Sequence, residues 1–277
     1  MLGWRRPAGF PPAVGHLRCA QGAYRMMRWN TVKEKLLAGK PSIGGLAALG
    51  SPLAAELLAL AGSEYVLLDD QHGIWDPKSA MDAFHCVRLA GAVPMVRVGK
   101  NDFYLIGAML DRGALGIIVP MVHTPADAEA AAFAMRYPPR GGRSEGAYGC
   151  RIYGPDYRAA ANDEVFLAVQ IESGLAVQNA EAIMRVDGVD ACWIGPADLA
   201  NSMGLDLRQP ADQRQHEEAI RHVLTACQKA GKIPGIACGP DNAQKYLDMG
   251  FLFVTAFGDS WGVYDGARAT LNRLRLG

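Results

Sequence analysis

A chain of 277 residues has room for one large α/β domain or two small ones. Half of it is apolar and a fifth is charged, the balance of a soluble globular protein. Lys plus Arg (28) equals Asp plus Glu (28), so bulk charge draws it neither to nucleic acid nor to a membrane surface. The cysteines at 19, 86, 150, 192, 227 and 238 show no C-x-x-C spacing and read as reduced, mostly buried thiols of a cytoplasmic protein.

The N-terminus, Met1-Leu-Gly-Trp-Arg-Arg, is followed by no apolar run of the kind a secretory signal needs. Residues 1 to about 28 are rich in Pro, Gly and Arg without a period; they read as a flexible extension, with Met26 or Met27 as alternative openings for the domain. The most membrane-like window, residues 43–62, carries Ser51, Pro52 and Glu56 and divides into strand, turn and helix rather than spanning a bilayer.

From there the chain alternates. Short apolar runs predict strands over Pro41–Ala47, Glu64–Leu68, Ala92–Val98, Ala114–Val119, Phe166–Ile171, Val189–Ile194, Lys232–Ala237 and Phe251–Thr255. Helices are predicted over Pro52–Ala61, Pro77–Ala90, Asp102–Arg112, Pro125–Arg136, Leu175–Arg185, Asp212–Ala230, Asp241–Met249 and Tyr264–Arg275. Thr124-Pro-Ala-Asp127 is a helix start, with a hydroxyl cap, Pro at the first position and an acid three residues after the cap. Six helix ends carry a glycine just before a new apolar run: Gly62, Gly91, Gly113, Gly188, Gly231 and Gly250. A glycine cap leading at once into a buried strand is an α-to-β joint. With no linker to divide the set, the pattern predicts a single-domain TIM (β/α)8 barrel over residues 29–277.

In such barrels chemistry gathers at the C-terminal ends of the strands. Two of those ends are conspicuous: Leu167-Ala-Val-Gln170-Ile-Glu172 and Val189-Asp-Ala-Cys-Trp-Ile-Gly195-Pro-Ala-Asp198. Glu172 and Asp198 at neighbouring strand ends would repel unless a proton or a cation lies between them, and a divalent cation is the functional reading. The alternative is that each acid caps the helix that follows it. The other strand ends bring His72, with Asp69 three residues before it, and Arg97. The remaining histidines, at 16, 85, 123, 216 and 222, fall in the tail or in and beside helices and read as structural or solvated.

These segments, with Leu67-Leu-Asp-Asp-Gln-His72, Pro94-Met-Val-Arg-Val98, Leu110-Asp-Arg-Gly113, Arg136-Tyr-Pro-Pro-Arg-Gly-Gly-Arg143 and Ile194-Gly-Pro-Ala-Asp-Leu199, resemble the HpcH/HpaI family of metal-dependent pyruvate aldolases from about Asn30 to Asp259. The resemblance implies that Glu172 and Asp198 hold a divalent metal, Mg²⁺ or Mn²⁺ with Co²⁺ as a further candidate. It implies that His72 is the acid/base, oriented by Asp69, and that Arg97 holds the keto oxygen. Gln170 and the backbone of Gly195, Pro196 and Ala197 would line the pyruvyl site. Asp111 would reach a neighbour's site across a subunit contact, within a homo-oligomer that the family assembles as a hexamer, often with the last helix exchanged. Gln71 and Asp70 depart from the usual Glu and Gly, and Gly99-Lys100 from a Pro-containing turn. The segment from Gly146 to Tyr153 also departs, and it is expected to border the acceptor pocket.

The chemistry suits the residues. A 2-keto acid presents two oxygens to a hard cation, and carboxylate ligands select Mg²⁺ or Mn²⁺ while leaving positions open. Arginine offers a fixed, permanently charged fork to a developing oxyanion, and histidine titrates near neutrality. The expected partners are therefore a 2-keto acid and an aldehyde, in cleavage or condensation of 4-hydroxy-2-keto acids with pyruvate or hydroxypyruvate as nucleophile. The alternatives are a malyl- or citramalyl-CoA type lyase on a related barrel, a Schiff-base aldolase using Lys100, and a barrel that binds keto acids without catalysis. Arg140 and Arg143 are candidates for holding an acidic acceptor.

Overall fold

The computed structural model describes residues 29–274; the expected extension over residues 1–28 lies outside them. Eight strands form one closed barrel in chain order: β1 (Ser42–Ala47), β2 (Tyr65–Asp69), β3 (Val93–Arg97), β4 (Gly116–Val119), β5 (Phe166–Ile171), β6 (Ala191–Ile194), β7 (Gly235–Ala237) and β8 (Phe253–Gly258). Every neighbouring pair is parallel, and β8 closes on β1. The helices that return the chain are α1 (Thr31–Leu37), α2 (Pro52–Leu60), α3 (Pro77–Leu89), α4 (Phe103–Arg112), α5 (Pro125–Met135), α6 (Tyr157–Glu164), α7 (Gly174–Gln178), α8 (Ala180–Met184), α9 (Pro196–Ser202), α10 (Pro210–Lys229), α11 (Pro240–Met249) and α12 (Asp259–Arg273). No described helix is long and apolar enough to cross a membrane.

The predicted joints are where the glycines put them. All six glycines have positive φ, between 66° and 117°, a backbone shape that a Cβ would strain. Thr124 accepts from the Asp127 N–H and Asp127 returns the bond, the expected capping box of α5. Other boundaries differ for physical reasons. β7 is shorter than its apolar run because Pro234 has no N–H to give the ladder; its carbonyl instead accepts from Leu252 and Phe253. The helix predicted over residues 175–185 breaks at Asn179, whose side chain donates to the His123 carbonyl. Helices α1, α6 and α9 were not anticipated, being short and weakly periodic.

Two cores result. One lies between the strands and the surrounding helices; the other fills the barrel with Tyr65, Leu67, Met95, Ile118, Phe166, Ala168, Trp193 and Phe253. Successive strand residues face opposite ways, so Phe166, Ala168 and Gln170 on β5 point inward and Glu172 continues their line to the rim. Small residues make room: a Cβ on Gly44 would strike the Tyr65 ring, and one on Gly116 would come within 2.8 Å of Met95.

The closed end of the barrel is sealed by Trp29, Tyr153 and Tyr157, whose rings lie 5.6–5.7 Å apart. There Asp190 serves two cations, the half-buried Lys33 at 3.2 Å and the buried Arg136 at 3.5 Å, and accepts the Leu167 N–H at 2.8 Å. Burial lowers the affinity of Lys33 for its proton, and the Asp190 carboxylate opposes this. Removing that single carboxylate leaves two cations uncompensated. Asp190→Asn is therefore expected to cost about 3 kcal/mol in urea unfolding, with an unchanged slope; a loss below about 1 kcal/mol would mean that water carries these charges.

Candidate functional site

At the open end, β2 and β3 place Asp69 and Arg97 directly opposite each other in the parallel register. Both are buried, and the Arg97 Nε and Nη2 donate to the two Asp69 oxygens at 2.9 and 2.5 Å. The Asp69 Oδ1 also accepts from the backbone of Gln71 at 3.2 Å and His72 at 3.3 Å. Asp69 thus holds Arg97 and the loop that carries His72, whereas the resemblance had it orienting the imidazole. The His72 side chain is exposed on the rim. Beneath Arg97 lies the Trp193 ring, 5.5 Å from the guanidinium carbon. Trp193 Nε1 donates to Thr255 Oγ1, which also bonds the Tyr65 hydroxyl at 2.9 Å, so the polar groups inside the barrel are tied together.

Glu172 stands beside this pair, 3% exposed, and its Oε1 accepts the Met121 N–H at 2.8 Å. Gln170 Nε2 donates to the other oxygen, Oε2. Burial pushes the Glu172 carboxyl above the usual range. The Met121 N–H works against this, the nearby Asp198 charge adds to it, and Arg97 also pulls down. Asp198 reaches this position from the first turn of α9, whose start is Gly195. A Cβ at Gly195 would lie 2.8 Å from Gln170 Nε2 and 3.2 Å from Glu172 Oε2, so only glycine lets this turn pass so close. Glu172 does not cap the next helix; Ser173 does, accepting from the Ala176 N–H.

The donors fit a hard divalent cation. Two carboxylates meet here, and the Gln170 side-chain oxygen is buried without a hydrogen-bond donor. Among the described residues no group of three or more His, Cys, Asp or Glu side chains is arranged around one point.

Asp111 is elsewhere. It lies in the last turn of α4, at the end that leads into β4, where its Oδ1 accepts from Arg143 at 2.8 Å. It lines a cleft of about 480 Å³ with Phe103, Tyr104 and Tyr148. Arg143 is buried between Asp111 and the Tyr157 hydroxyl, and Arg140 pairs with Asp163 on the surface. Neither arginine meets the mouth within this chain, and the segment from Gly146 to Tyr153 packs beside α4 rather than on the rim. The Met121 backbone and Trp193 are the groups that sequence reasoning left out. Met121 has a left-handed φ of 56°, which no local pattern marks, while Trp193 on β6 could have been found by its alternation with Gly195, just past the strand's end.

A family model described as HpcH/HpaI aldolase/citrate lyase matches residues 46–262. The 4-hydroxy-2-oxo-heptane-1,7-dioate aldolase of Salmonella dublin is 36% identical over 252 residues, covering 88% of this chain and 94% of its own. Among solved structures, an HpcH/HpaI aldolase/citrate lyase family protein from Burkholderia cenocepacia J2315 aligns with a TM-score of 0.80 at 33% identity, over 88% of this chain and 98% of that one. An HpcH/HpaI aldolase from Desulfitobacterium hafniense DCB-2 aligns at 0.79 and 26%, over 88% and 97%.

The raised Glu172 carboxyl yields a pH signature. A carboxyl that holds its proton more tightly folded than unfolded lowers stability as pH rises from the ordinary carboxylate value through the raised one. The metal-free protein is expected to lose melting temperature across that window. Mn²⁺, competing with the proton, should restore more of it at the upper end than at the lower. Glu172→Gln should flatten the profile and abolish the Mn²⁺ increment; an unchanged increment in that variant would remove Glu172 from the metal site.

Proposed function

The chain belongs to the HpcH/HpaI aldolase/citrate lyase family, and from that premise we propose a divalent-metal-dependent aldolase that cleaves and forms 4-hydroxy-2-keto acids, with pyruvate or hydroxypyruvate as the nucleophile. Its activity is that of a carbon–carbon lyase. The observation that carries the proposal is the convergence of Glu172 and Asp198 beside the immobilised guanidinium of Arg97.

Glu172 and Asp198 hold the metal, Mg²⁺ or Mn²⁺ with Co²⁺ as a further candidate. When bound, such an ion supplies Lewis acidity at the keto group. Arg97, whose Nε and Nη2 are engaged by Asp69, keeps Nη1 to offer the keto oxygen as charge gathers there. Gln170 and the Gly195-Pro196-Ala197 turn form the wall against which the carboxylate end of the keto acid rests. In cleavage the His72 imidazole takes the proton of the 4-hydroxyl; the C3–C4 bond then breaks to an aldehyde and a pyruvate enolate, which is protonated at C3. In condensation the same group returns the proton. Asp69 is a positioning residue for both Arg97 and the His72 loop.

A Schiff-base route finds little support. Lys100 is exposed and pairs with Asp102 at 3.5 Å, and Lys232 donates to the Val189 carbonyl at the strands' other end. The partner we assign is a small-molecule 2-keto acid with an aldehyde. The assembly is a homo-oligomer, a hexamer as in the family, in which Asp111 approaches a neighbour's mouth. The exposed Trp261, Val263, Tyr264 and Leu271 of α12 support docking of that helix on another copy.

Chelation is expected to abolish pyruvate condensation and Mn²⁺ to restore it, while borohydride with pyruvate leaves the protein unmodified; covalent trapping would overturn the metal mechanism. Metal-dependent exchange of pyruvate methyl protons with D₂O, followed by NMR, tests catalysis without any acceptor, and its absence would favour a barrel that only binds keto acids. His72→Ala should lower turnover by roughly a hundredfold or more and leave Mn²⁺ affinity unchanged; weakened Mn²⁺ binding would make His72 a ligand.

A further inference from the structure

We propose that the acceptor for which this mouth is built is an uncharged aldehyde with an apolar chain, a specificity that rests on the aldolase reading and names its substrate class. Large apolar side chains are exposed just beyond four of the eight strand ends: Leu49 after β1 (41%), Ile74 after β2 (74%), Met121 after β4 (54%) and Leu175 after β5 (52%). Singly, exposed apolar residues are ordinary; gathered on the rim of one opening, they form a wall that an apolar chain can cover.

Local contacts hold part of this wall in place. The Ile74 N–H donates to the Ala48 carbonyl at 3.0 Å, and a Cβ on Gly50 would come within 3.1 Å of Ile74 Cγ1, so the β1 and β2 loops touch at Ile74. Asp259 fixes the β1 loop by accepting from the N–H groups of Ala48 and Leu49 at 2.9 and 3.1 Å. Met121 holds a left-handed φ of 56° while its N–H binds Glu172, which ties this exposed side chain to the metal-holding acid.

Charge points the same way. Three lysine and arginine side chains of the strand ends and their loops are each paired with an aspartate: Arg97 with Asp69, Lys100 with Asp102, and Arg208 with Asp206 through Nε at 2.8 Å and Nη2 at 3.0 Å. Asp70, half-buried, adds a further acid next to Asp69. An aldehyde ending in a carboxylate would bring its charge to a rim of apolar groups and acids and leave part of its hydration behind without a partner.

Butanal and succinic semialdehyde have the same chain length and differ in ending as a methyl or a carboxylate. With the Mn²⁺-loaded full chain and saturating pyruvate, kcat/KM for butanal is expected to exceed that for succinic semialdehyde at least tenfold. Ile74→Lys, at the most exposed of these positions, is expected to narrow the ratio at least fivefold, chiefly through KM for succinic semialdehyde. Exchange of pyruvate methyl protons with D₂O separates the two readings. If exchange is metal-dependent but succinic semialdehyde is the equal or better acceptor, the acceptor assignment is overturned and the aldolase reading stands. If metal-dependent exchange is absent, the aldolase reading fails and the acceptor assignment falls with it.

Discussion

A buried carboxylate, Glu172, with the exposed Asp198 close beside it is the constraint that organises the mouth of this barrel. Glu172 would not be placed there for stability, since burial and the neighbouring Asp198 charge both favour its protonated form. The surrounding groups are arranged to tolerate the charge without cancelling it. Met121 and Gln170 each give Glu172 one hydrogen bond, and Arg97 lends its field from a distance because its fork is occupied by Asp69. A site already neutralised by a direct arginine contact would have little affinity left for a cation.

The Asp69–Arg97 pair is the second half of that arrangement. A buried ion pair contributes little net stability, but this one fixes a guanidinium in orientation with Nη1 uncommitted. Its support runs downward through Trp193 and Thr255 to Tyr65, so the ion pair stands on a hydrogen-bonded layer, and that in turn on an apolar one. The same carboxylate that grips Arg97 receives the N–H groups at the start of the His72 loop. One residue thus couples the positions of the two groups to which the proposed mechanism gives the work on one substrate.

The two ends of the barrel divide the work. At the closed end, stacked rings and a shared Asp190 seal the floor and join α1 to the wall, and nothing there meets the mouth. At the open end, loops of different length carry acids, a histidine and apolar side chains on rigid strand ends, so chemistry can vary while the floor and the packing do not.

Sequence alone determined the barrel, the helix-to-strand joints and the acids at adjoining strand ends. These depend on local rules: a glycine after a helix, an apolar run of strand length, and a polar residue where that run stops. Tertiary closure decided the pairings. Asp69 turns to Arg97 rather than to the imidazole because the β2–β3 register sets them face to face. Arg143 is spent on Asp111 because the loop after α5 folds against α4. Glu172 finds the Met121 N–H, 51 residues earlier in the chain, because β4 and β5 are neighbours in the wall. Such contacts form between segments with no pattern in common, and only the register of a closed sheet brings them within bonding distance.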